Sequence, residues 1–291
     1  MSRQWRNLRG FLFFAGPSTF AFISITIVSF IGGVVLTFTN WNGLSNTLSF
    51  TGFDNYTAAI ADDQFWSSLW LTGRYVVAVV LLSNAFAFAI AYMLSGRIRF
   101  RGMLRAGFFT PNLIGGVVLG FIWYFIFSQG LVAVGTALGV DLLSTSWLAS
   151  ETLAFWALVI ATVWQMAGFL VIIYLAGLTA LPGDVLEAAS MDGAGGLRRL
   201  RSVVLPLMRP SFTICVFLAI GRSFMTYDMN LTLTGGGPYG STELVAMHVY
   251  QKAFVSQQFG TGQTEALLLF VIVAAISVLQ VSVGRRREVE L

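Results

Sequence analysis

The chain has 291 residues, 56% of them hydrophobic and 10% charged, with 26 Phe and a formal net charge of +4. Soluble domains average about 25% charged residues, so this composition excludes a water-facing globular surface, in line with a mean hydropathy of +0.78. Backbone groups in lipid must be satisfied within a helix or a closed barrel, and the short alternating segments of a barrel are absent.

The expectation is therefore an all-α integral membrane protein, read as one transmembrane domain over residues 1–291. Apolar runs near Phe11–Phe38, Leu69–Leu94, Gly107–Phe127, Leu153–Leu178, Ser211–Leu231 and Thr264–Val283 each reach the roughly 20 residues that cross a bilayer. They predict six transmembrane helices. The first run is longer than a signal-peptide core and no small-residue cleavage pattern follows it, so it is expected to be retained.

Basic residues orient these spans. Arg3, Arg6 and Arg9 precede the first span, and Arg97, Arg99, Arg101 and Arg105 follow the second. Arg198, Arg199, Arg201 and Arg209 follow the fourth, and Arg285, Arg286 and Arg287 follow the last. Fourteen of the 17 Lys and Arg thus fall on one side. The opposite connections hold Asp54, Asp62, Asp63, Asp141, Glu151 and Glu243, with Lys252 as their clear cation. The positive-inside rule predicts a multi-pass protein with both termini in the cytoplasm. The positive balance is then a topology signal, and no nucleic-acid partner is expected.

Within the spans, polar groups are expensive and so mark candidate pathway positions. These are Asn84, Asn112, Gln165, Arg222, Tyr227, Asp228 and Asn230, with Trp123, Tyr124 and Trp164 able to stack on a sugar ring. The plainer reading is interhelical packing for the amides and interface anchoring for the Trp and Tyr residues. Gly116-x-x-x-Gly120 would let a neighbouring helix approach closely, but the pattern is common in membrane helices. Cys215 is the single cysteine, which excludes an intrachain disulfide or a cysteine metal cluster.

Residues 180–210 form a charged segment between two apolar runs. Leu181-Pro182-Gly183-Asp184 ends the fourth span, and Asp184 is expected to cap a short helix running to about Met191. In that helix Glu187, Ala188 and Ala189 leave a slim surface. Asp192-Gly193 then signals a turn, with Gly193 free to take a positive φ, and Ala194 leads into a second short helix. Lipid-surface resting and docking on a partner protein are both open on local chemistry. Further on, Gly235-Gly236-Gly237-Pro238 reads as an outer loop, with Ser241-Thr242-Glu243 starting a short helix towards His248 and Lys252.

Catalytic equipment is missing. The one His and one Lys sit in no catalytic constellation, and the chain has no phosphate-binding Gly-Lys-Ser/Thr loop, His-Glu-x-x-His motif or Gly-x-Ser-x-Gly elbow. No metal site, bound cofactor or enzyme activity is expected in this chain.

Glu187-Ala188-Ala189-x-x-Asp192-Gly193-Ala194, followed by Leu205-Pro206 and Pro210, resembles the "EAA" signature of permease subunits in binding-protein-dependent ABC importers. Tyr227-Asp228, Leu233-Thr234-Gly235-Gly236-Gly237-Pro238, Ser241-Thr242, Tyr250-Gln251-Lys252-Ala253-Phe254 and Phe259-Gly260 are similar to that family's carbohydrate branch, which serves sugars and glycerol phosphate. One departure is Leu200, where the family usually has Phe. The resemblance implies a six-helix permease whose cytoplasmic coupling helix, Glu187 through Ala194, inserts into an ATPase subunit. Glu187 would meet a basic residue there. It also implies a second permease subunit, generally a distinct homologous chain, two ATPase subunits carrying ATP and magnesium, and an extracytoplasmic solute-binding protein. The location implied is a bacterial or archaeal cytoplasmic membrane, with a sugar or sugar-like solute carried inward. The alternative of an ion-coupled secondary carrier needs a defined ion site at mid-membrane, which few acids in these spans could supply.

Overall fold

Long apolar runs can leave water only as helices that close their own hydrogen bonds, and the computed structural model is built that way. It describes residues 3–44, 48–96 and 100–286. Arg97, Arg99 and Arg287, assigned above to the basic side, lie outside the described residues. Among these residues the extended pairing is confined to one isolated antiparallel bridge, Thr39 with Phe50.

The helices in chain order are α1 (Arg3–Phe22), joined through a π turn to α2 (Val28–Leu36), then α3 (Asp54–Ile60) and α4 (Asp63–Ser95). Next come α5 (Arg101–Leu113), α6 (Gly116–Phe125), α7 (Leu131–Leu138), α8 (Glu151–Thr179) and α9 (Gly183–Met191). The remainder are α10 (Gly196–Arg199), α11 (Leu205–Leu207), α12 (Arg209–Phe224), α13 (Asp228–Leu233), α14 (Val245–Tyr250) and α15 (Phe259–Arg285). Five stretches are long and apolar enough to cross a membrane: Phe13–Leu36, Asp63–Ser95, Gly116–Leu138, Glu151–Thr179 and Phe259–Arg285. The pair Gly196–Leu207 and Arg209–Phe224, bent by 68°, supplies a sixth if read as one span.

Two spans differ in position from expectation. The apolar run Gly107–Phe127 predicts a continuous third span, but α5 ends at Leu113 and the chain extends through Ile114 (ψ 128°) before α6 begins. Thr110-Pro111-Asn112 and Gly115-Gly116 interrupt the apolar run here, and the weakly apolar α5 gives way to the strongly apolar α6 at this break. The run Ser211–Leu231 predicts a fifth span to Leu231, whereas α12 stops at Phe224 and the chain turns through Met225–Tyr227 into the short α13.

The chain folds as two compact units, residues 1–65 with 249–270 and residues 66–248 with 271–291. In the first, Asn55 donates its side-chain amide to the carbonyls of Thr37 and Thr39 at 2.8 Å each, and it accepts from the Thr261 hydroxyl at 3.2 Å. Asp62 caps α4 by accepting from the backbone N–H groups of Gln64 (2.9 Å) and Phe65 (3.2 Å), satisfying donors that a helix start leaves open. Its other oxygen takes the Lys252 ammonium at 2.6 Å.

Burial raises the Asp62 pKa, but the Lys252 ammonium and the two backbone donors outweigh it, so the carboxyl titrates below its ordinary range. A depressed acid stabilises the fold above its unfolded value, about 3.9, and that contribution is lost as pH falls through the lower folded value. Asp62→Asn should therefore lower the thermal midpoint at neutral pH, with parent and variant converging in acid. Melting curves across that range check this, and a gap that persists unchanged in acid would exclude the ionised pair as its cause.

The second unit is organised around α8, whose Ala154, Ala157, Leu158, Ala161 and Leu170 are buried. Three bonds join α4 to α8: Tyr75 Oη donates to Thr162 Oγ1 (2.7 Å), Tyr174 Oη donates to Asn84 Oδ1 (2.6 Å), and Ser83 Oγ meets Met166 Sδ (3.7 Å). Small residues set the closest approaches. A methyl group on Gly168 would meet the Phe108 carbonyl of α5, and methyls on Gly116 and Gly120 would meet Asp228 and Thr232 of α13. The Gly116-x-x-x-Gly120 pattern thus works as a helix-packing surface, receiving a short helix that no hydropathy plot would register.

Candidate functional site

Helix α8 brings Thr162 and Gln165 to one face, α6 contributes Gly116, the last turn of α12 contributes Arg222, and the turn after it contributes Thr226. With Tyr227 and Asp228 they line a cavity of about 260 Å³. Four of the predicted pathway residues (Gln165, Arg222, Tyr227 and Asp228) therefore meet in one place. Thr162 and Thr226 carry no signal in the sequence, because threonine is ordinary in membrane helices, and Gly116 is marked there only as a packing position.

Arg222 is fixed at this cavity by two contacts. Its Nη1 donates to Asn112 Oδ1 at 3.0 Å, and its guanidinium carbon stands 4.4 Å from the Phe169 ring centroid, a cation–π distance. Asn112 thus holds Arg222 without lining the cavity itself. Gln165 donates to the Ile114 carbonyl at 3.2 Å, tying α8 to the break between α5 and α6. Arg222 and Asp228 both line the cavity, yet neither forms an ion pair with the other. The cavity offers one fixed cation and one anion, balanced in charge and both exposed in this chain.

The remaining predicted residues sit elsewhere. Asn230 is fully buried; its amide donates to the Thr242 carbonyl (2.7 Å) and Thr234 Oγ1 (2.9 Å), and its oxygen accepts from the Leu244 N–H (3.2 Å). It anchors the glycine-rich loop and does not face the cavity. Asn84 is held by Tyr174 and by the Val80 carbonyl (2.7 Å). Trp123 and Trp164 meet edge to face with centroids 5.5 Å apart, and Trp123 stacks on Phe127 at 5.1 Å. Tyr124 lines a separate cavity of about 500 Å³ together with Ser128, Thr232 and Thr234. Cys215 is free and buried.

The segment between α8 and α12 is built differently. Helix α9 has no buried residue, and Glu187, Ala188, Asp192 and Gly193 are exposed, with Ala189 and Ala194 half-buried. Asp184 does not cap it, contrary to expectation. Pro182 occupies the cap position without a side-chain bond, and Asp184 lies inside the first turn, where an acid suits the helix dipole. At the other end the Gly193 N–H bonds the Ser190 carbonyl (3.1 Å) and the Ala194 N–H bonds the Ala189 carbonyl (3.0 Å). With Gly193 at φ +74° this is a Schellman ending, which favours glycine at that position. The chain then turns into α10. Met191 is 88% exposed and Leu197 is 63% exposed, so this helix pair presents apolar side chains outward.

Comparison with known proteins fits this arrangement. The family described as "Binding-protein-dependent transport system inner membrane component" matches residues 83–289. Over 290 residues the chain is 37% identical to the probable starch degradation products transport system permease protein AmyD of Thermoanaerobacterium thermosulfurigenes, spanning 100% of this chain and 99% of that one. It is 34% identical over 257 residues to the multiple sugar-binding transport system permease protein MsmF of Streptococcus mutans, spanning 88% and 89%. Among solved structures, a chain of a bacterial ABC transporter involved in the import of the acidic polysaccharide alginate superposes with a TM-score of 0.82, covering 98% of this chain and 99% of that one. Identity there is 16%, so that likeness speaks for the fold.

Proposed function

Because the chain belongs to the family of inner membrane components of binding-protein-dependent transport systems, we propose that it lines a path by which a neutral sugar enters the cytoplasm. The chain is a multi-pass permease subunit of an ABC importer and not an enzyme. Its sugar class rests on relatives whose names specify starch degradation products and multiple sugars, and on the cavity around Arg222 and Asp228. One cation and one anion together suit hydroxyl groups, which both donate and accept, better than they suit a charged solute.

In this reading both termini are cytoplasmic, as the basic residues predict. Residues 187–194 dock onto an ATPase subunit that holds ATP and magnesium. A second, homologous permease chain completes the path, and an extracytoplasmic binding protein delivers the sugar. The observation that carries the reading is α9 itself: nine residues without one buried side chain, standing between two membrane helices. An isolated helix that short is marginal in water, and a partner's cleft would give it packing. No observation favours an ion-coupled carrier.

Reconstituting the permease pair in vesicles with and without the ATPase subunits tests this. Sugar uptake should require the ATPases and ATP; uptake that persists without them would overturn the proposal.

A further inference from the structure

A second cavity, of about 370 Å³, lies between the N-terminal parts of α4 and α8 and the loop after α13. It is lined by Arg74, Glu151, three aromatic side chains (Trp70, Phe155 and Trp156) and Ser241. Arg74 sits over the Phe155 ring at 5.6 Å, and neither it nor Glu151 is held in an ion pair among the described residues. Trp70 is 71% exposed and Trp156 is 42% exposed. Ser241 Oγ is shielded from solvent and makes no hydrogen bond among the described residues. A shielded hydroxyl without a partner is unfavourable, and a ligand hydroxyl in this cavity would supply one.

The chemistry selects the ligand class. Indole and phenyl faces pack against the C–H faces of a sugar ring, while charged groups form stronger-than-neutral bonds to its hydroxyls. Arg74 donates, Glu151 accepts, and Ser241 does either. The two charges cancel, which disfavours an anionic ligand because Glu151 would repel it. The volume falls within the roughly 300–1,000 Å³ of small-molecule sites.

Placement ties this cavity to the first one. Phe155 lies seven residues before Thr162 on α8, about 10 Å along the axis. Tyr75 touches both linings: its ring meets Phe155 edge-on at 6.5 Å, and its hydroxyl bonds Thr162 and contacts Thr226 at 3.4 Å. In the orientation proposed above, the cavity with Arg74 is the outer of the two, and fully buried Tyr75 stands between them.

We propose that this outer cavity is a carbohydrate subsite, occupied before the sugar reaches the cavity around Arg222. It rests on the sugar-importer reading. The test uses the complete transporter, with both permeases, the ATPases and the binding protein, in vesicles, and maltotriose as the probe. Wild-type uptake comes first; if maltotriose and a panel of other neutral saccharides all fail to enter, the sugar reading falls and the subsite falls with it. With a transported saccharide in hand, Glu151→Gln and Trp156→Ala should each raise the KM for uptake roughly tenfold, the loss of one good contact, with kcat and basal ATP hydrolysis little changed. Independently, Thr152→Cys, an exposed position in the same lining, should react with an impermeant maleimide more slowly when that saccharide is present, and adding Glu151→Gln should abolish the protection.

Unchanged KM together with unprotected labelling would overturn the subsite while leaving the importer reading intact. So would protection that follows phosphatidylethanolamine content of the vesicle and not the saccharide, which would assign the cavity to a lipid headgroup.

Discussion

Gly168→Ala is expected to destabilise the permease more than any other single methyl group added to α8. The added carbon would meet the Phe108 carbonyl of α5, and a backbone oxygen inside a helix cannot swing away as a side chain can. Overpacking of this kind costs about 1–3 kcal/mol and occasionally more. Helix α5 would have to lift from α8, taking with it the Asn112 oxygen that holds Arg222 and the Ile114 carbonyl that holds Gln165. The expected result is a thermal midpoint lower by about 5 °C or more, together with weakened uptake. Gly73→Ala, where an added methyl meets nothing within 4 Å, is the control and should leave both unchanged. Equal midpoints for the two variants in detergent would show that α5 does not pack on Gly168 in this way.

That contact also marks the limit of what the sequence could convey. Helical class and a set of membrane-length apolar helices follow from composition, because hydropathy acts locally. The break at Ile114 is marked locally by Pro111 and Gly115-Gly116, whereas the early end of α12 at Phe224 does not follow, since it depends on which helix packs across which. The Gly116-x-x-x-Gly120 pattern was legible as a site of close approach, but its partner α13 was hidden inside what reads as a continuous fifth span. The same limit separates the polar candidates. Gln165, Arg222, Tyr227 and Asp228 share one cavity, whereas Asn230, equally polar and two residues from Asp228, turns inward to hold a loop. Arg222 and Asp228 are six positions apart, poor spacing for one helix face, and the turn at Met225–Tyr227 is what brings both to one cavity. The short helix ending at Asp192-Gly193 was readable because its signals are local: a proline-bounded start and a glycine after the last turn.

At this short helix, Glu187→Ala and Gly193→Val should produce the same functional loss by different physics. Glu187 is exposed on α9, and its side chain makes no hydrogen bond or ion pair among the described residues, so alanine there should leave insertion and stability unchanged. If its carboxylate meets a cation on the ATPase, removing it leaves that charge unpaired in the interface, an effect of about 2–5 kcal/mol. Gly193 has open space around it, with nothing within 4 Å of an added methyl, so valine meets no steric wall. Its penalty is the positive φ of 74°, a region in which a β-branched side chain is strained by roughly 1–3 kcal/mol. Relieving that strain re-aims the turn and with it the face that α9 presents. Both variants should therefore insert and fold, yet lose at least about tenfold in uptake and in ATP hydrolysis stimulated by loaded binding protein. Gly193→Asn should fall between them and wild type, because asparagine tolerates this conformation better than valine. ATPase co-purification and stimulated hydrolysis, measured on reconstituted complexes, separate the outcomes. Wild-type stimulation in both Glu187→Ala and Gly193→Val would remove the docking role from this helix and return it to resting on lipid.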